Sequence, residues 1–326
     1  MHFTDGKRVN SLAEWDQRRQ EIRDLLVKYF IGTFPEEVPK IIKAELISEV
    51  QGDKDSIRRR IRITLATPNR ASFDMEVWAP GGEGPFPLLL TAPRFYQRYW
   101  AEDALERGYA VCLFPGVDSH HREANYPGFE SVWQKFRAEY PESTWTEISA
   151  KGWLASRCID YLLCEGSVTK IDSSRIAIIG FSRYGKQAMI AAAFDPRISC
   201  VVARSPGSPA SCPYRFTSRN TYAEAPSDFP SQWFLPSLRK YTGRENQLPI
   251  DAHGWYALIA GKLYVPPRAA GLVSGPAPQF RSAILSAREE IRAATISIEQ
   301  LTKPVWEGRS KPTRWRDGHD GWLEGK

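Results

Sequence analysis

The chain has 326 residues, of which 42% are hydrophobic and 25% charged, and its formal net charge is +6. This composition is typical of a folded globular protein and excludes an intrinsically disordered one. The positive charge is spread along the chain without a long basic block, so nucleic-acid binding is not expected, although an anionic substrate or polymer is mildly favoured. The five cysteines lack zinc-type spacing, so we expect buried free thiols and no metal site.

The N-terminus has no apolar signal core, and no apolar run is long enough to span a membrane. We therefore expect no membrane partner and a cytoplasmic location for the chain as written. Secretion is the alternative if the start of the sequence is incomplete.

The first eighty residues predict a helix followed by three strands. Apolar residues at helical spacing indicate a helix over 11–31, with Ser11 as its N-cap. The predicted strands are 41–50, 57–66 and 72–78. In the second of them isoleucine alternates with arginine, and we expect Arg58-Arg59-Arg60 with Arg62 to form one solvated face.

Beyond residue 80, short apolar strands alternate with helical segments. The predicted strands are 86–91, 110–114, 176–179, 198–203 and one ending at 265, and the predicted helices are 102–107, 146–163 (amphipathic) and 187–194. This alternation predicts an α/β fold with a mostly parallel sheet flanked by helices, in which ligands bind beyond the carboxyl ends of the strands. A long connection at 116–144 is more typical of a functional segment than of an idle one.

Residues 176–186 read Ile-Ala-Ile-Ile-Gly-Phe-Ser-Arg-Tyr-Gly-Lys. An apolar strand that stops at a Gly-x-Ser turn and continues as a helix is the arrangement of a nucleophile elbow. Gly180 and Gly185 are small enough for a tight turn, which would place Ser182 beside the N–H groups of a helix start. The alternative is an ordinary strand–turn–helix joint with a surface serine, and the strand and helix on either side favour the nucleophile.

The run Gly-Phe-Ser-Arg-Tyr-Gly-Lys at 180–186 resembles the Gly-Cys-Ser-Arg-x-Gly-Lys signature of glucuronoyl esterases, the fifteenth carbohydrate esterase family, and of related acetylxylan-esterase-like α/β-hydrolases. Looser matches lie at 151–162, 174–177, 191–197 and 248–260. The resemblance implies one α/β-hydrolase domain over 1–326. Its residues 1–80 would form an N-terminal helix and strand extension, and 266–326 an atypical C-terminal segment.

Ser182 requires a base, because a serine hydroxyl attacks an ester only when a neighbouring group takes its proton. His319 follows Ser182 late in the chain and is preceded by glycine, which is the order of an α/β-hydrolase. The resemblance agrees, since the family carries its base in a Gly-x-His-Asp-like loop; a solvated tail histidine is the alternative. His121 is the fallback base, and is otherwise a loop or substrate-contact residue.

The resemblance also assigns roles to two neighbours of Ser182. Arg183 corresponds to an arginine that helps to stabilise the oxyanion together with its own backbone N–H, and Lys186 to a lysine that holds the sugar part of the substrate. The residues alone leave simpler alternatives open. Arg183 could pair with a structural carboxylate, and Lys186 could be solvated.

The acid that orients the base is absent from both places where these enzymes supply it. At the end of strand 198–203 the family often has Glu-Ser-Gly, whereas this chain has Ser205-Pro206-Gly207-Ser208. The second place follows Val265, and no Asp or Glu lies between Asp251 (structural by the resemblance) and Glu289. Residues 266–312 also depart from the family pattern, through divergence or a shifted reading frame. Loss of a triad acid lowers the rate about ten-thousand-fold, so this departure bears on activity.

We therefore expect a serine carboxylester hydrolase that acts on small or polysaccharide carbohydrate esters without a metal or organic cofactor. Glucuronoyl esters are the first expectation and acetylated xylan is the second. The aromatic run 95–100 suits stacking on sugar rings, or else plain packing. The alternative function is a non-catalytic or defective α/β-hydrolase-fold protein that binds carbohydrate.

Overall fold

The computed structural model describes residues 2–93, 95–116, 132–216, 225–229 and 233–265. Its strands are β1 (Ile41–Gln51), β2 (Ile57–Leu65), β3 (Ser72–Ala79), β4 (Phe86–Thr91), β5 (Ala110–Leu113), β6 (Ile171–Phe181), β7 (Cys200–Arg204) and β8 (Leu263–Val265). They form one sheet in the order β1-β2-β3-β5-β4-β6-β7-β8. The pairs β1–β2, β2–β3 and β3–β5 are antiparallel, and the remaining pairs are parallel.

The helices are α1 (Leu12–Leu26), α2 (Phe95–Glu106), α3 (Val132–Glu139), α4 (Glu147–Leu162), α5 (Arg183–Phe194) and α6 (His253–Leu258). From β4 onwards strands and helices alternate, which confirms the predicted α/β class and the mostly parallel sheet. Within the described residues, no helix is long and apolar enough to cross a membrane. The single-domain prediction for 1–326 stays a prediction, because 266–326 lie outside the described residues.

The parallel strands are apolar on the face that carries the main core. Leu88 and Leu90 of β4, Ile178 of β6 and Val201 of β7 are fully buried in one cluster with residues of α4 and α5. Strands that are covered by helices read as nearly continuous apolar runs, which is why their positions could be predicted from the sequence. Because these strands are parallel, their carboxyl ends lie at the same edge of the sheet, and Ser182 follows β6 at that edge.

The helix predicted over 11–31 is present, but it has two parts. Ser11 is the N-cap, and its side chain accepts the backbone N–H of Glu14 at 3.1 Å. The regular helix ends at Leu26 and continues as a π-helical turn over Val27–Ile31. The apolar spacing continues through this turn, so the sequence pattern alone did not mark the change.

Helix α4 is buried almost all round, so the predicted amphipathic character is wrong. Only Ser156 and Asp160 of this helix escape full burial. The helix packs against α5 and α3, and the N-terminal segment also covers it. The hydroxyl of Ser149 donates to the carbonyl of Ile31 at 3.0 Å. The N-terminal segment thus covers the side of α4 that local periodicity predicted to face water.

Three further expectations are corrected. Helix α2 begins at Phe95 rather than at residue 102, and α3 lies inside the predicted connection 116–144. In α3, Val132, Trp133 and Phe136 are buried at helical spacing, a signal that the polar residues around them obscured. The cysteines are free, as expected, but only Cys112 and Cys158 are buried; Cys164 is exposed, and Cys200 and Cys212 are half-buried.

The arginines of β2 do not form one simply solvated face. Arg60 Nη2 lies 2.7 Å from Asp74 Oδ2, and Arg62 Nε lies 2.8 Å from Asp74 Oδ1. The guanidinium of Arg58 lies over the ring of Trp78, 4.2 Å from its centre. Asp74 is buried, and a buried carboxylate requires such partners. Arg60 and Arg62 therefore neutralise the buried charge of Asp74, and Arg58 covers the ring of Trp78.

Candidate active site

The nucleophile elbow predicted from the sequence is present. Ser182 lies between the end of β6 and the start of α5, with φ 55° and ψ −125°, a strained conformation for a residue with a side chain. Its N–H donates to the carbonyl of Arg204 at 2.8 Å, and its carbonyl accepts the N–H of Gly185 at 2.8 Å and of Lys186 at 3.1 Å. These hydrogen bonds, made to the neighbouring strand and to the first turn of α5, hold the strained turn in place.

Close packing excludes a side chain at Gly180 and crowds one at Gly185. A Cβ atom on Gly180 would overlap the carbonyl group of Tyr184. A Cβ atom on Gly185 would lie 3.1 Å from Cβ of Pro206 and 3.2 Å from the carbonyl oxygen of Arg204. The helix therefore starts directly against the strand that it leaves, which is the steric condition of the elbow.

Arg183 occupies the first position of α5. The first N–H groups of a helix point out of its N-terminus, so the backbone here can serve an anion that forms at Ser182. The guanidinium of Arg183 lies 5.6 Å from the ring centre of Trp233. In this fold the second oxyanion N–H comes from the connection after the strand next to the elbow. Here the strand next to the elbow strand β6 is β4. The connection after β4 includes residue 94, which lies outside the described residues.

Lys186 is buried, which rules out a solvated side chain at this position. Its relative exposure is 2%, and its Nζ lies 5.0 Å from the ring centre of Phe229. A buried ammonium group needs polar partners close by, because it has lost most of its water. Lys186 is also one helical turn from Ser182, so its position is compatible with contact to a substrate bound at the elbow.

Sequence reasoning missed three residues that shape the elbow. Gln187 is 1% exposed, and its Nε2 donates to the carbonyl of Pro115 at 3.0 Å, which ties α5 to the chain just after β5. Phe229 and Trp233 place aromatic rings against Lys186 and Arg183. A glutamine within the apolar run 187–194 was a usable signal, because a buried amide must find a partner. The aromatic contacts come from a distant segment and had no local signal.

The base is not placed by the described residues. His319 and His121 both lie outside them, so their roles stay predictions. His253 is described, and it begins α6. Burial, followed by the charges of Arg215 and Arg18, lowers the pKa of His253 to about 4. A histidine with such a pKa binds protons poorly near neutral pH, which makes it an unsuitable base.

The low pKa of His253 leads to a prediction about stability. The unfolded histidine has a pKa of 6.5, whereas the folded one has a pKa of about 4. The unfolded state therefore binds more protons between these values, and stability falls as the pH drops from 6.5 towards 4, by up to about 3 kcal/mol. The measurement is urea unfolding between pH 7.5 and 4.5 for the wild type and for His253→Gln. The wild type should lose more stability than the variant, and equal losses would contradict the assignment.

At the place beside the elbow where the resemblance implies a triad acid, this chain has a serine. Arg204, the last residue of β7, pairs with Phe181 of β6, so Ser205 follows at the edge where Ser182 lies. Asp251 does not replace the acid. Its carboxylate accepts the backbone N–H groups of Tyr214 and Arg215, both at 3.0 Å, and of Ala252 at 2.7 Å. Burial raises the pKa of Asp251, and its contacts are those of a loop-ordering residue.

The second place for the acid, after Val265, lies outside the described residues. Within the part of the chain that the structure describes, no group of three or more His, Cys, Asp or Glu side chains could hold a metal ion.

Comparison with known proteins agrees with this geometry. The family model described as "Glucuronyl esterase, fungi" matches residues 62–273, which is more than half of the chain. A 4-O-methyl-glucuronoyl methylesterase from Podospora anserina is 28% identical over 81% of this chain and 53% of its own length. The chain thus spans about half the length of that relative.

Solved structures support the fold. A promiscuous CE15 esterase from a marine bacterial metagenome superposes with a TM-score of 0.69 at 20% identity, covering 90% of this chain and 83% of its own. A glucuronoyl esterase from Solibacter usitatus gives a TM-score of 0.67 at 24% identity, covering 90% of this chain and 84% of its own. These likenesses confirm the predicted α/β-hydrolase fold. Since the family model spans both the elbow and the parallel sheet, the chain belongs to the glucuronyl esterase family.

Proposed function

We propose that this protein is a serine carboxylester hydrolase that cleaves glucuronoyl esters of carbohydrates. The observation that carries the proposal is the elbow itself. Ser182 is held at a positive φ between β6 and α5, and Gly180 packs directly against the first turn of the helix. A strained conformation that several hydrogen bonds maintain is typical of a functional position. Family membership supports the same chemistry.

In the proposed mechanism, the Ser182 hydroxyl attacks the ester carbonyl while His319 takes its proton. Negative charge then develops on the carbonyl oxygen, and the backbone N–H and side chain of Arg183 stabilise it. The bond to the alcohol breaks, and the alcohol leaves with the proton from His319. Water attacks the acyl-enzyme by the same steps in reverse, which releases the carboxylic acid and restores Ser182. No metal or organic cofactor takes part in these steps.

The proposed substrate class rests on the relatives and on Lys186. The Podospora protein is named for a glucuronoyl methyl ester, which favours uronate esters over acetylated xylan. The uronate ring carries hydroxyl groups beside the ester, and an acetyl group does not. The buried ammonium of Lys186 is proposed to bind a ring hydroxyl, where loss of water strengthens a charged hydrogen bond. His121 is proposed to contact the same substrate.

One observation favours a second candidate function. Ser205 directly follows β7, at the place where the resemblance implies a triad acid, and a base that no acid orients is a poor catalyst. The alternative is a protein of the same fold that binds carbohydrate esters without turnover. The two candidates differ in whether Ser182 reacts.

Ester selectivity tests the proposal. We expect kcat/KM for benzyl glucuronate to exceed that for acetyl release from an acetylated xylo-oligosaccharide by about tenfold or more. This factor corresponds to the free energy of one charge-assisted hydrogen bond to the uronate ring. The measurement is initial-rate kinetics on both substrates, with Ser182→Ala as the background control. Faster acetyl release would replace the proposed substrate class. Binding of both esters without turnover of either would favour the second candidate.

A further inference from the structure

A cavity of about 360 Å³ opens at the end of α5 that is remote from Ser182. Helix α5 has 12 residues, so its ends lie about 18 Å apart. The end of α5 and the residues 195–197 after it form one wall of the cavity. The other walls come from α1 through Arg23, from the link after α1 through Phe34 and Glu36, and from α4 through Trp153 and Arg157. The mechanism proposed for Ser182 uses none of these residues.

Arg157 is a buried cation whose hydrogen bonds are incomplete. It is 5% exposed, its guanidinium lies 4.7 Å from the ring centre of Trp153, and its Nε lies 2.7 Å from Asp160 Oδ2. Its Nη1 is buried and has no hydrogen-bond partner among the residues that the structure describes. A buried N–H group without an acceptor is unfavourable. Arg157 lines the adjoining cavity, so a ligand oxygen bound there is a candidate acceptor for this group.

The neighbouring arginine on the same wall is already neutralised. Arg197 Nη2 lies 2.7 Å from Asp195 Oδ2, and its Nη1 lies 2.7 Å from Asp160 Oδ1. Arg197 also donates to the carbonyl of Ser156 at 3.2 Å. Two aspartates therefore balance Arg197 and Arg157, and the charges that remain on the cavity wall are one cation and the exposed carboxylate of Glu36.

That cation is Arg23. Its guanidinium lies over the ring of Phe194, 4.4 Å from the centre, and it forms no ion pair within the described part of the chain. Burial, and then the charge of Arg19, lowers the pKa of Arg23, and the charge of Asp24 opposes this shift without reversing it. Glu36, which also lines the cavity, is exposed to solvent. Its charge opposes an anion but is weakened by water.

We propose that this cavity binds a small organic anion of about monosaccharide size, whose carboxylate is held by Arg23 and Arg157. The volume lies at the lower end of the range of small-ligand sites, about 300–1,000 Å³. Arginine suits a carboxylate because its planar donors can hold both oxygens. Phe34 and Trp153 supply apolar walls for a ring. The site is separate from Ser182 and does not depend on ester hydrolysis there.

The test is isothermal titration of the full chain with sodium glucuronate, with glucose and acetate as ligands that lack the charge or the ring. We expect glucuronate to bind more tightly than either. Arg23→Gln should weaken glucuronate binding about tenfold or more, the value of a charge-assisted hydrogen bond. Arg8→Gln removes the same charge from an exposed position outside the cavity and should leave binding unchanged.

A second variant has an expected effect of opposite sign and carries little risk to folding. Glu36→Gln removes the exposed carboxylate and should tighten glucuronate binding a few-fold, because one repulsive charge is lost. Hydrolysis of benzyl glucuronate should stay at the wild-type rate in Arg23→Gln and in Glu36→Gln. No binding to the wild type, equal binding of glucose, or unchanged affinity in Arg23→Gln would each overturn the proposal. Because binding and turnover are read separately, failure of the cavity and failure of the esterase proposal are distinguishable.

Discussion

Replacing Ser182 with alanine is expected to abolish covalent labelling by a fluorophosphonate and to lower ester turnover by about 10²- to 10⁶-fold. The substitution removes the attacking oxygen and leaves the backbone of the elbow in place, since alanine has the same steric limits at φ 55° as serine. Labelling followed by mass spectrometry, and initial rates with benzyl glucuronate, measure the two effects. Ser48→Ala, at an exposed serine of β1, is the matched control and should behave as the wild type.

The size of that drop also reports on the missing acid. With a complete triad, loss of the serine costs about 10⁶-fold, whereas loss of the acid alone costs about 10⁴-fold. If the residues after Val265 supply a carboxylate, the Ser182→Ala effect should be near the upper value. If Ser205 marks a site without an acid, the wild type is already slow, and the drop should be near the lower value. A folded wild type that is neither labelled nor active would refute the serine mechanism.

The elbow could be predicted because its determinants are contiguous in the sequence. The apolar run before Gly180 forms the buried strand, and the small residues on both sides of Ser182 allow the tight turn into α5. Most strand positions were also predictable, since buried parallel strands are short apolar runs. The prediction from local sequence agrees with the structure where residues close together in the sequence determine the local conformation and burial.

The rest depended on contacts between distant segments. Nothing in the sequence around α4 shows that the chain near Ile31 covers it, so local periodicity predicted an exposed face. The pairing of Arg60 and Arg62 with Asp74 depends on the register between β2 and β3, which alternation does not supply. In the site, the rings of Phe229 and Trp233 reach Lys186 and Arg183 from a segment about forty to fifty residues further along the chain. Tertiary packing decides these features.

A single added methyl group at the elbow should also have a large effect on stability. Gly180→Ala is expected to destabilise the protein by about 3 kcal/mol or more, because its Cβ would overlap the Tyr184 carbonyl, which belongs to rigid backbone. Relief would require α5 to move away from β6, and this would displace Ser182 and abolish esterase activity. Urea unfolding followed by circular dichroism measures the loss of stability.

Gly166→Ala is the matched control, because a Cβ atom at Gly166 meets no atom within 4 Å. This substitution should leave the stability unchanged or raise it by up to about 1 kcal/mol, since alanine restricts the unfolded chain. If Gly180→Ala unfolded at the same urea concentration as Gly166→Ala, the close contact between β6 and α5 would be wrong. The strained position of Ser182 depends on that contact, so the proposed nucleophile would lose its structural basis as well.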